Sequence, residues 1–363
     1  MGKTMGKVAL VVLGALLLLA VSLVAACAQP APAPAPGPAP APAKVFDWKL
    51  IYYAPPQDVY DSFAVDFAED VTRMSGGRLK MTPYPEGTIV PATEMLEATK
   101  TGTVEMACLL SAYFSGVMPV SNIIYGFPAT YRSYQDKIIH HEFFGFGDIV
   151  TRAYAEQGGV VHLGTDSVDG GYTLVSNVPI TKADDFKGMK LRATGAVGEV
   201  FKELGASVIF CAGSELYTAL ATGVVDGCVY GGPQTELDQM KFAEVVDYLV
   251  LPFLLDAHGH SSYIVNPDAW NALPDDLKAI VQSEVESRMG DWYPYISYQN
   301  QNAINEYTAT GAVKISQMSD EEFAKVAKAG RTALERLVAD KNDPFLTEGA
   351  ASLVKFMEWR GYW

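Results

Sequence analysis

The chain has 363 residues, 49% hydrophobic and 19% charged, which is enough material for two lobes with their own cores. Its formal net charge is −15 and its pI is about 4.8. That balance argues against nucleic acid and anionic membrane surfaces as partners, since both are polyanions, but leaves room for a small anionic ligand held by a single buried Arg.

The N-terminus reads as a targeting segment, residues 1–26. Lys3 and Lys7 give it positive charge, Val8 to Val24 is an apolar run, and Val24-Ala25-Ala26-Cys27 ends it. A plain secretory leader ends in an A-x-A-like site. A cysteine directly after two alanines resembles a bacterial lipobox, which implies cleavage before Cys27 and a lipid on its thiol. The run is also near the lower length limit of a membrane span, so an N-terminal anchor is the other reading. Either way the folded part is expected outside the cytoplasm. Residues 28–43 are an Ala/Pro linker, extended at about 3 Å per residue and unable to build a core.

Three cysteines follow: Cys108, Cys211 and Cys228. An odd number in an oxidising compartment leaves at least one free thiol. Each sits in an apolar run and reads as a small buried hydrophobe, with a Cys211–Cys228 bridge still open.

From Val45 the hydrophobic pattern alternates between two periods. Phe46 to Tyr53 reads as a strand, Tyr60 to Ser75 as a helix stopped at Gly76-Gly77, and Leu79 to Tyr84 as a second strand. Ala92 to Lys100 is a helix stopped by Gly102, and Val104 to Leu110 is a buried strand. Alternation continues to about Pro252, which predicts an α/β protein with largely parallel sheets. The run from Glu94 to Glu105 is echoed from Glu215 to Asp226. Each is a helix, a Thr-Gly stop and a strand opening on a carboxylate, so two lobes on one plan are expected. From Pro274 the chain turns helical: Asp275 to about Thr310, then a helix opened by the capping box Ser319-Asp-Glu-Glu322 and running to about Asp340, then Leu353 to Arg360. Such helices suit a brace across the lobes, or a homodimer contact.

Lys190-Leu191-Arg192 reads as a short strand running into the small-residue loop Ala193-Thr194-Gly195 and then a helix from about Val197 to Leu204. Ligands of open α/β sheets sit where a strand end meets a helix N-terminus. Arg192 would there offer a guanidinium fork to a carboxylate. The bland alternative is a surface Arg in a salt bridge.

The stretch from Phe186 to Pro233 (FKGMKLRATG, LGAS, ELYTALATGVVDG, GGP) resembles the solute-binding proteins of TRAP transporters, the DctP type. Ser111-Ala-Tyr-Phe-Ser-Gly, the run from Pro267 to Leu277 and the run from Val313 to Glu322 match it too, so the resemblance covers essentially the whole mature chain. It implies a two-lobed, periplasmic-binding-protein-like fold with a cleft between lobes, closing on the ligand, and a long helix across both. The expected domains are 44–165 with 255–310 as lobe I, 166–254 as lobe II, and 311–363 as a helical C-terminal segment. The resemblance also implies that Arg192 binds the ligand carboxylate and that membrane permease subunits are the partner. The nearest subgroup binds 2-oxo and lactate-like acids, in some members with a metal ion. There the pattern breaks. Val168 and Val229 stand where that subgroup has Gln and Glu and cannot ligate a cation, and no second Arg follows Gly170-Gly171-Tyr172. No cofactor is therefore expected; a bound cation would need another ligand, such as Asp169, which could equally accept a hydrogen bond from the solute.

Tyr113, Tyr172 and Tyr230 are candidates to line the pocket, each with an apolar face and a hydroxyl. Among 19 tyrosines, core or rim positions are their ordinary alternative. Asp256-Ala-His258-Gly-His260 has alternate-residue spacing that suits zinc, but a satisfied His beside a crossover, with Asp256 at the cleft, is the expected reading. The chain has no G-x-S-x-G, H-E-x-x-H or phosphate-loop motif. A lipid-anchored hydrolase or lyase would have to use Asp169 or Asp256 with His258. A scaffold or adhesin would predict neither ligand nor turnover.

Overall fold

The computed structural model describes residues 44–54, 59–166, 170–211, 213–255 and 261–363. Cys27, the linker, Val168, Asp169, Asp256, His258 and His260 lie outside the described residues.

Among the described residues, eleven strands form two sheets. Strands β1 (Phe46–Tyr52), β2 (Leu79–Pro85), β3 (Met106–Leu110), β4 (Val161–Thr165) and β10 (Ser261–Val265) make the first, in the order β2-β1-β3-β10-β4. Strands β5 (Tyr172–Ser176), β6 (Lys190–Arg192), β7 (Ser207–Ile209), β8 (Gly227–Cys228), β9 (Tyr248–Leu255) and β11 (Lys314–Gln317) make the second, in the order β11-β9-β5-β8-β6-β7. Strands β3, β5 and β10 are buried along their whole length, and their sequences are correspondingly unbroken apolar or small-residue runs.

The sheets are mixed rather than largely parallel. β1 runs parallel to β2 and β3, and β6 parallel to β7 and β8. β10 and β5 run antiparallel to both of their neighbours apart from that block. β11 also corrects the reading of 311–363 as helical: this segment first adds a parallel strand beside β9.

Strand order and direction repeat between the sheets, with β2-β1-β3-β10-β4 matching β7-β6-β8-β5-β9. The repeat reaches individual hydrogen bonds. The Glu105 carboxylate accepts from the Lys49 amide (2.8 Å) and the Asp226 carboxylate from the Lys190 amide (2.7 Å). The Lys49 and Lys190 ammonium groups each donate to a turn carbonyl, Thr103 (3.0 Å) and Gly223 (2.6 Å). Asn266 and Asn177 donate backbone amides to the carbonyls of Glu105 and Asp226, both at 2.9 Å. Gly102 and Gly223 stop the preceding helices at φ +77° and +69°, which is why glycine closes both runs. The echoed segments are thus the same structural unit, and Arg192 holds in the second sheet the place of Ile51 in the first.

The helix Val59–Met74 buries Phe63, Phe67 and Val71, one helical face, on the first sheet. The 35-residue helix Asp275–Ala309 joins both lobes. Its Leu277, Val281, Val285, Trp292 and Ile296 enter the first core, and Ile304 enters the second with Leu216, Val225 and Leu249. It continues through Pro294, whose ring leaves the carbonyl of exposed Gly290 to water. The helix Asp320–Lys341 starts at Ser319, whose hydroxyl caps the Glu322 amide. Its Arg336 pairs with Glu199 (2.8 Å) and Glu203 of the second lobe. The last helix is Pro344–Arg360, nine residues longer at its start than predicted, with Asp343 capping Leu346 and Pro344 at the first position. It lies on the first lobe, where Ser352 meets His140 (3.0 Å) and Glu348 meets Arg152 (2.7 Å). Together the two helices brace both lobes.

Cys108, Cys211 and Cys228 are all free, so no Cys211–Cys228 bridge forms. Cys108 and Cys228 are buried as expected, whereas Cys211 is half-exposed. Among the described residues no helix is long and apolar enough to cross a membrane.

The candidate solute cleft

Arg192 ends β6 and is only 5% exposed. Its Nη1 donates to the Val229 carbonyl (2.8 Å) and its Nε to the Cys211 carbonyl (3.4 Å). The guanidinium lies 5.3 Å from the Tyr230 ring and 6.0 Å from the Phe210 ring. Among the described residues no carboxylate pairs with it, and Nη2 has no partner. A buried guanidinium fixed by backbone carbonyls and lacking an anion is costly unless an anion joins it.

Two lobes contribute to its surroundings. From the first, the short helix Ser111–Phe114 supplies Tyr113, 39% exposed, and the helix Ser121–Tyr125 supplies buried Asn122 and Tyr125. The Arg192 charge acts on the hydroxyls of both Tyr113 and Tyr125. Burial pushes the Tyr125 hydroxyl up to about 12, against the pull of Arg192, so it is a neutral donor at physiological pH. Thr194 and Tyr172 hydrogen-bond it, and the Tyr172 ring meets it edge-on at 5.7 Å. A cleft of about 350 Å³ opens between Ala112 and Tyr113 on one side and Ala193, Thr194, Gly195, Val208 and Phe210 on the other.

The structure therefore brings Arg192, Tyr113, Tyr172 and Tyr230 to one region. Tyr113 faces the cleft, Tyr172 is buried behind Tyr125, and Tyr230 lies against the guanidinium. Sequence reasoning missed Phe210, Tyr125, Thr194 and Glu236. Glu236 is fully buried, and its Oε1 accepts from the amides of Tyr230 (2.7 Å) and Gly231 (3.2 Å). It thereby fixes the turn whose Val229 carbonyl and Tyr230 ring hold Arg192. The signal was an acid four to five residues past the Gly231-Gly232 turn.

Glu236→Leu leaves those two amides without an acceptor and is expected to cost about 1–3 kcal/mol of stability. Glu236→Gln keeps the acceptor oxygen and should lose less. Thermal unfolding of both variants checks this; equal losses would show that the buried charge, not the acceptor, matters.

Among the described residues no three His, Cys, Asp or Glu side chains gather to hold a cation. Val229 offers only a carbonyl, which Arg192 already uses. Asp169, the side chain that the sequence offers as a cation ligand, lies outside the described residues.

The chain is similar to a monocarboxylate 2-oxoacid-binding periplasmic protein of Nostoc sp., 27% identical over 60% of this chain and 58% of that protein. It is 26% identical to the C4-dicarboxylate-binding periplasmic protein DctP of Rhodobacter capsulatus over 76% of this chain and 81% of that one. In fold it resembles a TRAP periplasmic solute-binding protein from Colwellia psychrerythraea with bound calcium and pyruvate. The TM-score is 0.77 at 23% identity, covering 88% of this chain and 96% of that one. The family model for bacterial extracellular solute-binding proteins, family 7 (DctP), matches residues 51–341. The chain thus belongs to the DctP family, bacterial extracellular solute-binding proteins of family 7, and is a solute-binding protein rather than an enzyme.

Proposed function

We propose that this protein captures a small carboxylate outside the cytoplasm and presents it to a TRAP-type permease, with Arg192 clamping the carboxylate. The observation that carries the reading is the buried Arg192 guanidinium, bonded to two carbonyls and, among the described residues, to no acid. The Nostoc and Rhodobacter relatives support an organic acid as solute.

In this reading lobe I (44–165 with 255–310) and lobe II (166–254) close about their crossovers. Tyr113 and Tyr230 pack the solute body, and Tyr172 supports Tyr125 from behind. Asp169 and Asp256, which lie outside the described residues, are the side chains assigned to polar substituents of the solute. A lipid on Cys27 tethers the head through the 28–43 linker. A ligand favours closure only by its differential affinity for the closed state.

A thermal-shift screen of the protein against 2-oxo, 2-hydroxy and dicarboxylic acids, each with calcium and with EDTA, tests this. A true solute at 100 times its dissociation constant adds about 2.7 kcal/mol of stability. A shift from an acid, unchanged by EDTA, is expected. Silence across the whole panel would remove the carboxylate assignment, and a shift seen only with calcium would restore a cation to the site.

A further inference from the structure

We infer that the cleft selects a monocarboxylate with a flat, weakly polar body, and that Phe210 is the residue that reads that body. This rests on Arg192 being the carboxylate partner.

Two observations carry the inference. The first is the character of the cleft walls. Phe210 follows β7 and is 70% exposed, although it lies within 6.0 Å of the buried Arg192 guanidinium. Across the cleft the half-exposed Tyr113 belongs to the other lobe, and Ala112, Ala193 and Val208 complete an apolar lining. A large apolar ring left in water beside a buried cation gains most when a solute covers it. Aromatic side chains prefer offset or edge contacts with another π-system, so a planar body bonded to the carboxylate suits both rings.

The second observation is the charge inventory. The charged residues lining this cleft are Lys202 and Glu199, which pair with each other at 2.7 Å; Arg192 lies next to it, 6.0 Å from the Phe210 ring, and Glu86 adds a further negative charge near Tyr113. Glu199 is further held by Arg336 at 2.8 Å. Among the described residues lining the cleft, a second carboxylate on the solute finds no uncommitted cation and meets an acid instead. Its desolvation would go unmatched, which selects against dicarboxylates.

The test is titration calorimetry of the full-length protein with pyruvate, benzoylformate and oxaloacetate. All three are 2-oxo acids; they differ in carrying a methyl group, a phenyl ring or a second carboxylate. Benzoylformate should bind tightest and oxaloacetate weakest. Phe210→Ala should weaken benzoylformate about five- to tenfold, the scale of one aromatic contact, and leave pyruvate within twofold. Phe210→Tyr should restore benzoylformate. Because Phe210 is exposed, neither change threatens folding.

Equal native affinities for pyruvate and benzoylformate, or a Phe210→Ala ratio unchanged from native, would overturn the inference. So would oxaloacetate as the tightest ligand. Arg192→Ala separates the two levels. If it abolishes binding while Phe210→Ala does nothing, only the body-reading role falls. If it leaves all three acids unaffected, or if none of them binds the native protein, the clamp reading falls with it.

Discussion

Arg192→Ala will abolish solute binding at concentrations that saturate the native protein, while its ligand-free unfolding curve stays close to native. Truncating one partner of a buried, hydrogen-bonded charge pair costs about 2–5 kcal/mol, which is roughly 30- to several thousand-fold in affinity. The stability of the empty protein moves little because two effects oppose. Removing the side chain leaves the Val229 and Cys211 carbonyls without their donor. It also removes a buried cation that no described acid neutralises. Arg192→Lys should recover only part of the affinity. An ammonium is a point charge without the planar fork, and it cannot reach both carbonyls and a two-oxygen ligand in one plane. Titration calorimetry with the best acid from the screen reads both variants. An Arg192→Ala affinity within threefold of native would end the clamp assignment, and an Arg192→Lys affinity equal to native would show that charge alone suffices.

Much of this fold was legible because its local signals agree. Lys190–Arg192 is a strand of three residues, yet its neighbours fix it: the small-residue loop after it and the carboxylate of the echoed Asp226. The echo itself was readable because the same hydrogen bonds demand a Gly after the helix and an acid before the strand. Strand direction was not readable. β5 and β10 are uniformly buried, and a buried run carries no mark of whether its neighbour runs parallel or antiparallel; that follows from which crossover delivers it. β11 escaped because four residues between two long helices give too short a pattern. The last helix was placed too late, although a Pro just after an Asp, here Asp343-Pro344, is a helix-start signal. Around the cleft, Arg192 and the tyrosines that the structure brings near it were picked out by residue type. Phe210 and Glu236 act through position, one exposed where a Phe is normally buried and the other buried where a Glu is normally exposed. No composition rule marks either.

Asp166→Ala will destabilise the protein by about 3 kcal/mol or more, since it strips the acceptor from three buried hydroxyls at about 1–3 kcal/mol each. For a chain of this size the midpoint should fall by about 6–12 °C. Asp166 is fully buried at the exit of β4, and its Oδ2 accepts from Tyr60 (2.8 Å) and Tyr263 (3.0 Å), while its Oδ1 accepts from Ser261. Its amide also meets the Ser261 carbonyl at 3.0 Å. One side chain thus ties the strand that leaves the first sheet for the second to the strand that returns from it. Burial raises the Asp166 pKa, so ionising it disfavours the fold; the three hydroxyls and the charge of Lys137 offset that. Lys137 is buried too, donates to the Thr165 carbonyl at 2.5 Å and is pushed down to about 8 by burial, against the pull of Asp166. The sign of its linkage follows. Between about pH 8 and the ordinary lysine value near 10.4 the unfolded chain holds a proton that the folded chain has released. Stability from this group therefore rises with pH through that window and is lower below it. Lys137→Met should remove that rise, which melting curves of both proteins from pH 7 to 10 would show. Parallel curves would mean that Lys137 is solvated in the folded protein, and that Asp166 is held by its three hydroxyls alone.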